Sequence, residues 1–367
     1  MKPAVPPAPP LVSAVITTRA RPALVGRAVQ SVLTQQGPPL ELIVVMDGPD
    51  PETHQTLQSW RDPRLRVLPL PQRLGANAAR NAGIAASRGQ WVGLLDDDDE
   101  WLPGKLSAQL AAARQSRFSR PVVACQVRVN NGRAEWVRPR RCPGPFEPVG
   151  DYLFCRHHFI CEGFVQTSML LAPRDLFHQV PFDDRVRKFQ DADWLLRACS
   201  QSKVGLEMVM SPLGVWHVEA DRRRQSHEPV AVGELLAWLR SRRALVSRRA
   251  YAAFLLNMAG PQIPPTAWRE RWHLLREAFR AGSPNVQDCV LFGISAVIPP
   301  HWRARLRARL LSWLAGNPKV GNLRHAAPVP NCGHLCSSEI QDNNGSVGAG
   351  GPQCEGRPLA SGVTMPL

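Results

Sequence analysis

Five consecutive carboxylates, Asp96-Asp97-Asp98-Asp99-Glu100, follow an apolar run at 90–95 and lead into Trp101. Like charges this close repel one another unless a cation neutralises them, and hard divalent ions such as Mg2+ and Mn2+ prefer oxygen ligands of this kind. The run therefore points to a metal site. The structural alternative is an acidic, solvated turn, or a helix start where the helix dipole stabilises carboxylates. Two more polar sites follow apolar runs in the same way: Thr17-Thr18 after the first and Asp47-Gly48 after the second. In an open α/β sheet, ligands bind at the carboxyl ends of the strands. Loops that open helices there also offer backbone N–H groups to an anion.

To bring these sites to one edge, the chain needs parallel strands joined by helices. From 11 to about 218 short apolar runs alternate with helical patterns, the signature of a sheet covered by helices. Strands are predicted at 11–17, 41–46, 65–70 and 90–95. A helix begins at Pro22, with Val25, Ala28, Val29, Val32 and Leu33 at helical spacing, and further helices are predicted at 75–87 and 103–117. The next part is less regular, with strands predicted at 121–128, 166–172, 203–209 and 213–218, a helix at 191–200 and a loop-rich stretch at 130–163. After Asp221-Arg222-Arg223-Arg224 the pattern becomes helical only, at 232–249, 267–281 and 302–314. From 326 on, Gly, Ser, Asn and Pro without periodicity predict disorder.

The charge is unevenly placed. Of the net +15, residues 1–221 carry +4, residues 222–325 carry +13 and residues 326–367 carry −2. Arg outnumbers Lys 40 to 5, which suits phosphate or acidic-lipid contacts, although a GC-rich genome produces the same bias. The Pro-rich start and the short apolar run after it do not read as an export signal. The apolar stretch at 289–300 falls short of the ~20 residues that a spanning helix needs. Nine cysteines, an odd number, then suggest reduced thiols in a cytoplasmic setting. Cys332, Cys336 and Cys354 fit no standard zinc spacing, and Gly104-Lys105 is followed by Leu106, so no phosphate-binding P-loop is present.

Taken in order, Val12-Ser13-Ala14-Val15-Ile16-Thr17-Thr18-Arg19, Ile43-Val44-Val45-Met46-Asp47-Gly48, Gly75-Ala76-Asn77-Ala78-Ala79-Arg80-Asn81-Ala82-Gly83 and Leu94-Leu95-Asp96-Asp97-Asp98-Asp99-Glu100-Trp101 resemble the family 2 glycosyltransferases. Gln190-Asp191-Ala192-Asp193-Trp194-Leu195-Leu196-Arg197 is similar to the family's Glu-Asp-x-Asp-x-x-x-Arg segment. The resemblance covers about 11–220. It implies an α/β chain with the GT-A type nucleotide-sugar-binding fold, a Rossmann-like mixed sheet flanked by helices, with a helical C-terminal extension. The expected organisation is a flexible segment at 1–10, a catalytic domain at 11–225, a basic helical segment at 226–325 and a disordered tail at 326–367.

The resemblance also implies roles. Thr17 and Asp47 match positions that hold the nucleoside, and Arg80 matches a basic residue close to the diphosphate, where a guanidinium pairs with phosphate oxygens. Asp96 and Asp98 match the Asp-x-Asp motif that holds ribose and a divalent cation, Mg2+ or Mn2+, bridging the phosphates. Asp97 is the variable middle position and is not expected to be a ligand. Asp99 orients that group or touches the donor sugar. Asp191 matches the catalytic base of a single inverting displacement. Gln190 stands where the family often has Glu, which leaves Asp193 open as an alternative base; the competing reading of Asp193 and Arg197 is an i,i+4 helix pair. His217 approaches the metal or diphosphate in some relatives, or is structural. Thr167-Ser168 resembles a polar pair on the acceptor side, and Trp101 packs beneath the acidic loop or stacks on a sugar.

The expected partners are a nucleotide diphosphate sugar and a saccharide or lipid-linked acceptor, in surface polysaccharide or glycoconjugate assembly. The expected location is cytoplasmic, peripheral on the inner face of a membrane. Two rivals remain. A nucleotide-sugar-forming nucleotidyltransferase would carry a glycine-rich loop after the first strand, and Thr17-Thr18-Arg19-Ala20-Arg21 has no glycine. A non-catalytic protein would bind anionic membrane or nucleic acid through the basic helices. Aromatic residues are few among those arginines apart from Trp238, Trp268, Trp272 and Trp302, so no nucleic acid is expected. The pattern looks instead like amphipathic helices on a membrane surface.

Overall fold

In a computed structural model that describes residues 11–157, 162–218 and 231–298, the apolar runs at the start of the chain form the parallel half of a nine-stranded sheet. The flexible segment expected at 1–10, the arginine run at 222–224, the helix at 302–314 and the tail at 326–367 lie outside the described residues.

β1 (Val12–Thr18) lies between β2 (Leu40–Met46) and β4 (Trp91–Asp96), parallel to both, and β3 (Leu65–Pro69) adds in parallel to β2. All seven residues of β2 are buried, as a strand covered on both faces requires. α1 (Pro22–Leu33) opens with a proline in its first turn and buries Val25, Ala28, Val29, Val32 and Leu33, the stripe read from its spacing. α3 (Ala76–Ala86) sits very close to the sheet: a Cβ on Gly83 would lie 2.4 Å from Val15 Cγ1. Small residues on that face let the helix approach, and the approach brings Arg80 to the strand ends. α2 (Pro51–Gln58) left no apolar signal because it buries only Thr53 and Leu57; it is set by Asp50, whose side chain accepts from Thr53 N at 3.3 Å.

The mixed half departs from the sequence reading in three places. The sheet continues from β4 through β8 (Leu171–Pro173), β6 (Arg120–Asn130) and β9 (Val204–His217) to β5 (Glu100–Trp101), with β7 (Glu135–Arg138) on β6. The strand expected at 166–172 opens instead as a 3-10 turn at Thr167–Met169. There the Gln166 side chain accepts from Ser168 N at 2.9 Å and takes over a ladder bond. The two strands expected at 203–209 and 213–218 are one strand, β9, whose register against β6 shifts on either side of Gln126, so Pro212 is absorbed as an irregularity and not as a turn. The end of the acidic run is itself a strand: Glu100 pairs antiparallel with Val215. α4 (Lys105–Gln115), α5 (Val149–Phe154), α6 (Arg174–Gln179) and α7 (Gln190–Cys199) complete this part.

Beyond it come α8 (Val232–Ser241), α9 (Arg248–Phe254), which runs on through a wide turn at Leu255–Ala259, α10 (Trp268–Ala281) and α11 (Val286–Val297). The single helix expected at 232–249 breaks because Ser247 caps a new one, accepting from Ala250 N at 2.9 Å. These helices share a core with α5 and α7, where Phe154, Ala192 and Leu196 pack among Leu235, Leu239, Ala250, Phe254 and Leu274. Asp193, 1% exposed, ties the two parts: it accepts from Arg197 Nε at 2.7 Å, Arg242 Nε at 2.6 Å and Trp238 Nε1 at 2.9 Å.

Candidate functional site

Thr17 sits in register with Val45 and Asp96, so the ends of β1, β2 and β4 meet at one edge. Asp47, just past β2, is buried and already engaged: Oδ1 accepts from Leu74 N at 2.7 Å and both oxygens accept from Gly75 N at 3.1 Å. It therefore pins the loop that starts α3. Gly48 makes this close approach feasible: its φ is +100°, and a Cβ there would lie 3.1 Å from Arg73 N.

Each carboxylate of the acidic run has its own partners. Asp96 Oδ1 accepts from Arg80 Nη2 at 2.8 Å, and its side chain is 31% exposed. Asp97 turns inward, accepting from Thr18 Oγ1 at 2.7 Å and Arg21 Nη1 at 2.8 Å. Asp98 Oδ2 lies 3.6 Å from Arg21, and the Asp98 carbonyl accepts from Arg27 at 2.9 Å. Asp99 accepts from Ser168 Oγ at 2.6 Å, Gln166 Nε2 at 3.1 Å and His217 N at 3.3 Å. Glu100 pairs with Arg27 at 3.2 Å and lies 2.7 Å from His217 Nε2.

Three arginines thus offset the repulsion that pointed to a cation, and the case for a metal rests on the donor set. Among the described residues no three His, Cys, Asp or Glu side chains converge on a common point. His217 faces Glu100, while Asp96 and Asp98 stand at the strand end. Such a set does not make an all-protein cage. It does fit Mg2+ or a similar ion taken up with a diphosphate, because such ions are commonly held by one or two carboxylates plus substrate phosphates.

The second half of the site comes from α7. Thr167 Oγ1 donates to Asp191 Oδ1. Arg80 Nη1 donates to Gln190 Oε1 at 2.8 Å and to Asn77 Oδ1 at 3.2 Å, so one guanidinium spans α3, the end of β4 and the start of α7. Burial raises Asp191 to about 6, against the opposing charge of Arg80 and the Thr167 hydrogen bond. Burial likewise raises Asp97 to about 6, against Arg21. For Arg80 burial works against its charge, but Asp96 and Asp191 outweigh it and hold the guanidinium above its ordinary value. Asp193 points the other way, into the arginine pair described above. Phe189, at φ 60°, sets the entry to α7; its ring stacks on Trp238 with centroids 5.5 Å apart.

Trp101 is buried, and its Nε1 donates to Ser168 O at 3.2 Å, so it packs beneath the acidic turn. Lys105 Nζ lies 4.3 Å from the Trp101 ring centroid. Thr167 and Ser168, noted in the sequence as a polar pair, serve separate carboxylates, and Ser168 Oγ also accepts from Asp96 N at 3.1 Å. Arg21, Arg27 and Gln166 join the site without belonging to any motif in the sequence. The only signal for Arg21 was its position three residues past the end of β1; nothing in the sequence distinguished Arg27 or Gln166 from other polar residues.

Residues 13–169 match the profile described as glycosyl transferase family 2. The chain is 32% identical over 204 residues to the amylovoran biosynthesis glycosyltransferase AmsB of Erwinia amylovora, covering 53% of this chain and 65% of that one. It is 36% identical over 191 residues to a putative colanic acid biosynthesis glycosyl transferase, WcaA of Escherichia coli, covering 51% and 66%. The matches thus span just under two thirds of these relatives' lengths. Among solved structures, TarS 1–349 of S. aureus, crystallised with UDP-GlcNAc, superposes with a TM-score of 0.58 at 14% identity, over 74% of this chain and 81% of that one. The shared architecture is a GT-A type mixed sheet flanked by helices, with a helical region following it.

Proposed function

We propose that this chain, which belongs to glycosyl transferase family 2, moves a sugar from a nucleotide diphosphate sugar to a hydroxyl acceptor with inversion, in polysaccharide assembly. The observation that carries the reading is the approach of Asp191 and Asp96 to a single arginine, Arg80, at the carboxyl ends of the parallel strands. A base and a diphosphate-holding acidic group must face each other across the anomeric carbon, and these two elements supply them from α7 and β4.

In this reading Asp191 accepts the proton of the acceptor hydroxyl as its oxygen bonds to the anomeric carbon. The bond from that carbon to the diphosphate oxygen breaks, and its electron pair leaves with the diphosphate. A carboxyl that titrates near 6 is ionised at neutral pH and yet basic enough to take the proton. Thr167 fixes the carboxylate through its hydroxyl and its backbone N–H. Arg80 holds Asp96 and Gln190 in place and keeps positive charge beside the departing diphosphate. Asp47 acts on the nucleoside side with Thr17, and Asp99, held by Ser168 and Gln166, keeps the acidic turn in shape. Asp96 and Asp98 would hold Mg2+ or Mn2+, whose contribution is to stabilise negative charge on the leaving diphosphate.

The relatives named for amylovoran and colanic acid biosynthesis support a saccharide acceptor. No described helix is long and apolar enough to cross a membrane. The test is calorimetric titration of nucleoside diphosphates, each with and without Mn2+, into wild type and an Asp96→Ala/Asp98→Ala variant. Metal-dependent binding of one diphosphate, lost in the variant, is expected. A folded protein that binds none of them contradicts the proposal.

A further inference from the structure

Eleven large hydrophobic side chains are exposed among the described residues, and seven of them lie on α10 and α11, so the exposure is concentrated and differs from ordinary surface scatter. On α10, Trp268, Trp272 and Phe279 are 65%, 61% and 58% exposed. Spaced i, i+4 and i+11, they form one stripe at about 3.6 residues per turn. The buried residues of that helix, Arg271, Leu274 and Ala278, occupy a different face. Arg269, Arg276 and Arg280 fall by the same periodicity on the opposite flank of the stripe, which places a cationic row beside the apolar one. α11 adds Val286 and Val297, 78% and 81% exposed, with Val290 and Ile294 between them. Its one charged residue, Asp288, is buried and paired with Arg249. The two helices adjoin, because buried Arg271 on α10 donates to Phe292 O and Ser295 Oγ on α11 at 2.8 Å each.

We propose that this face seats on an anionic lipid surface, with the tryptophans and Phe279 at the level of the headgroups and the arginines on lipid phosphates. Tryptophan suits that depth because its ring is apolar and its N–H is polar. A second copy of the chain fits less well: an isologous contact brings like arginine rows toward each other, in a segment that carries +13 over 222–325. Neither helix is long enough to span a bilayer, so the face lies on the membrane. The inference goes beyond the transferase reading and does not depend on it; for an enzyme with a lipid-linked acceptor it would bring the catalytic edge to its substrate.

The test is co-sedimentation of the full chain with vesicles of phosphatidylglycerol and phosphatidylcholine, and of phosphatidylcholine alone, over a range of salt. Trp268→Ser/Trp272→Ser and Arg276→Glu/Arg280→Glu are compared with wild type, with circular-dichroism melts to check folding; all four side chains face outward. Wild type is expected to bind anionic vesicles in a salt-sensitive manner. The tryptophan variant should bind at least about tenfold more weakly, and each arginine reversed to glutamate should cost at least about fivefold. Equal binding to neutral vesicles, no binding, or binding unchanged in both variants would overturn the proposal. So would a concentration-dependent dimer in light scattering that the tryptophan variant dissolves. Nucleoside diphosphate binding, measured on the same samples, should be unchanged in both variants, so failure here is distinct from failure of the transferase reading.

Discussion

The Arg80 guanidinium donates to the Asp96 carboxylate at 2.8 Å from a position that is almost fully buried. It is also the positive charge that opposes the rise in the Asp191 titration point. Replacing it by Met should therefore do two separable things. Losing charged hydrogen bonds to Asp96 and Gln190 should cost about 2 kcal/mol in urea denaturation. The acid limb of the pH–rate profile should move above about 6, because the Asp191 carboxylate would lose its stabilising charge.

Gln190 stands where the family that the sequence resembles often has Glu, and its hydrogen bonds suit an amide there. Oε1 accepts from Arg80 at 2.8 Å, while Nε2 donates to Val186 O at 3.3 Å and Arg187 O at 3.4 Å. A Gln190→Glu variant would put a carboxylate oxygen against two carbonyls and a second negative charge beside Asp191. The expected outcome is an acid limb shifted to higher pH, with donor affinity little changed. An unshifted profile would mean that this position does not sense the base.

Asp193 should behave quite differently from its neighbour two residues earlier. Its carboxylate is nearly fully buried and serves Arg197, Arg242 and Trp238. Asp193→Ala leaves the two arginines without that partner and should destabilise the fold by about 3 kcal/mol. The titration point of the remaining activity should not move. Chemical denaturation and a pH–rate profile on the same variant check both parts.

Most of the parallel half of the sheet was legible because its strands are largely apolar and α1 carries its stripe at regular spacing, whereas α2 buries too little to show. The polar residues at the strand ends stood out for the same reason. Local irregularity misled: Gln166 turns an apparent strand into a 3-10 turn, and the runs at 203–209 and 213–218 belong to one long strand whose register shifts around Gln126. The acidic run illustrates the limit for sites. Its spacing announced repulsion, but Arg21 reaches Asp97 from 76 residues earlier and Asp96's partner Arg80 comes from α3, and sequence distance hides such pairings. α11 was read only as an apolar stretch because its amphipathic character lies in which face is covered.

Stability should also report the state of Asp191. In the unfolded chain this carboxyl titrates at its ordinary 3.8 and in the fold at about 6. Between those values the folded protein holds the extra proton, so this group's contribution to stability is full below 3.8 and is lost as pH rises through about 6. Asp191→Asn removes that loss. The melting temperature of the variant relative to wild type should therefore increase from about pH 4 to about pH 7.5, by the linkage relation. A constant difference across that range would show that Asp191 titrates normally.

The most direct test of the central claim is release of nucleoside diphosphate from a panel of nucleotide sugars by wild type and Asp191→Asn, with donor affinity measured in parallel. Loss of a general base typically costs about 100-fold or more. The account predicts that one donor is turned over, that the variant is slower by at least that factor, and that its donor affinity stays within about twofold. Equal turnover by the two proteins, or loss of donor binding in the variant, would contradict it.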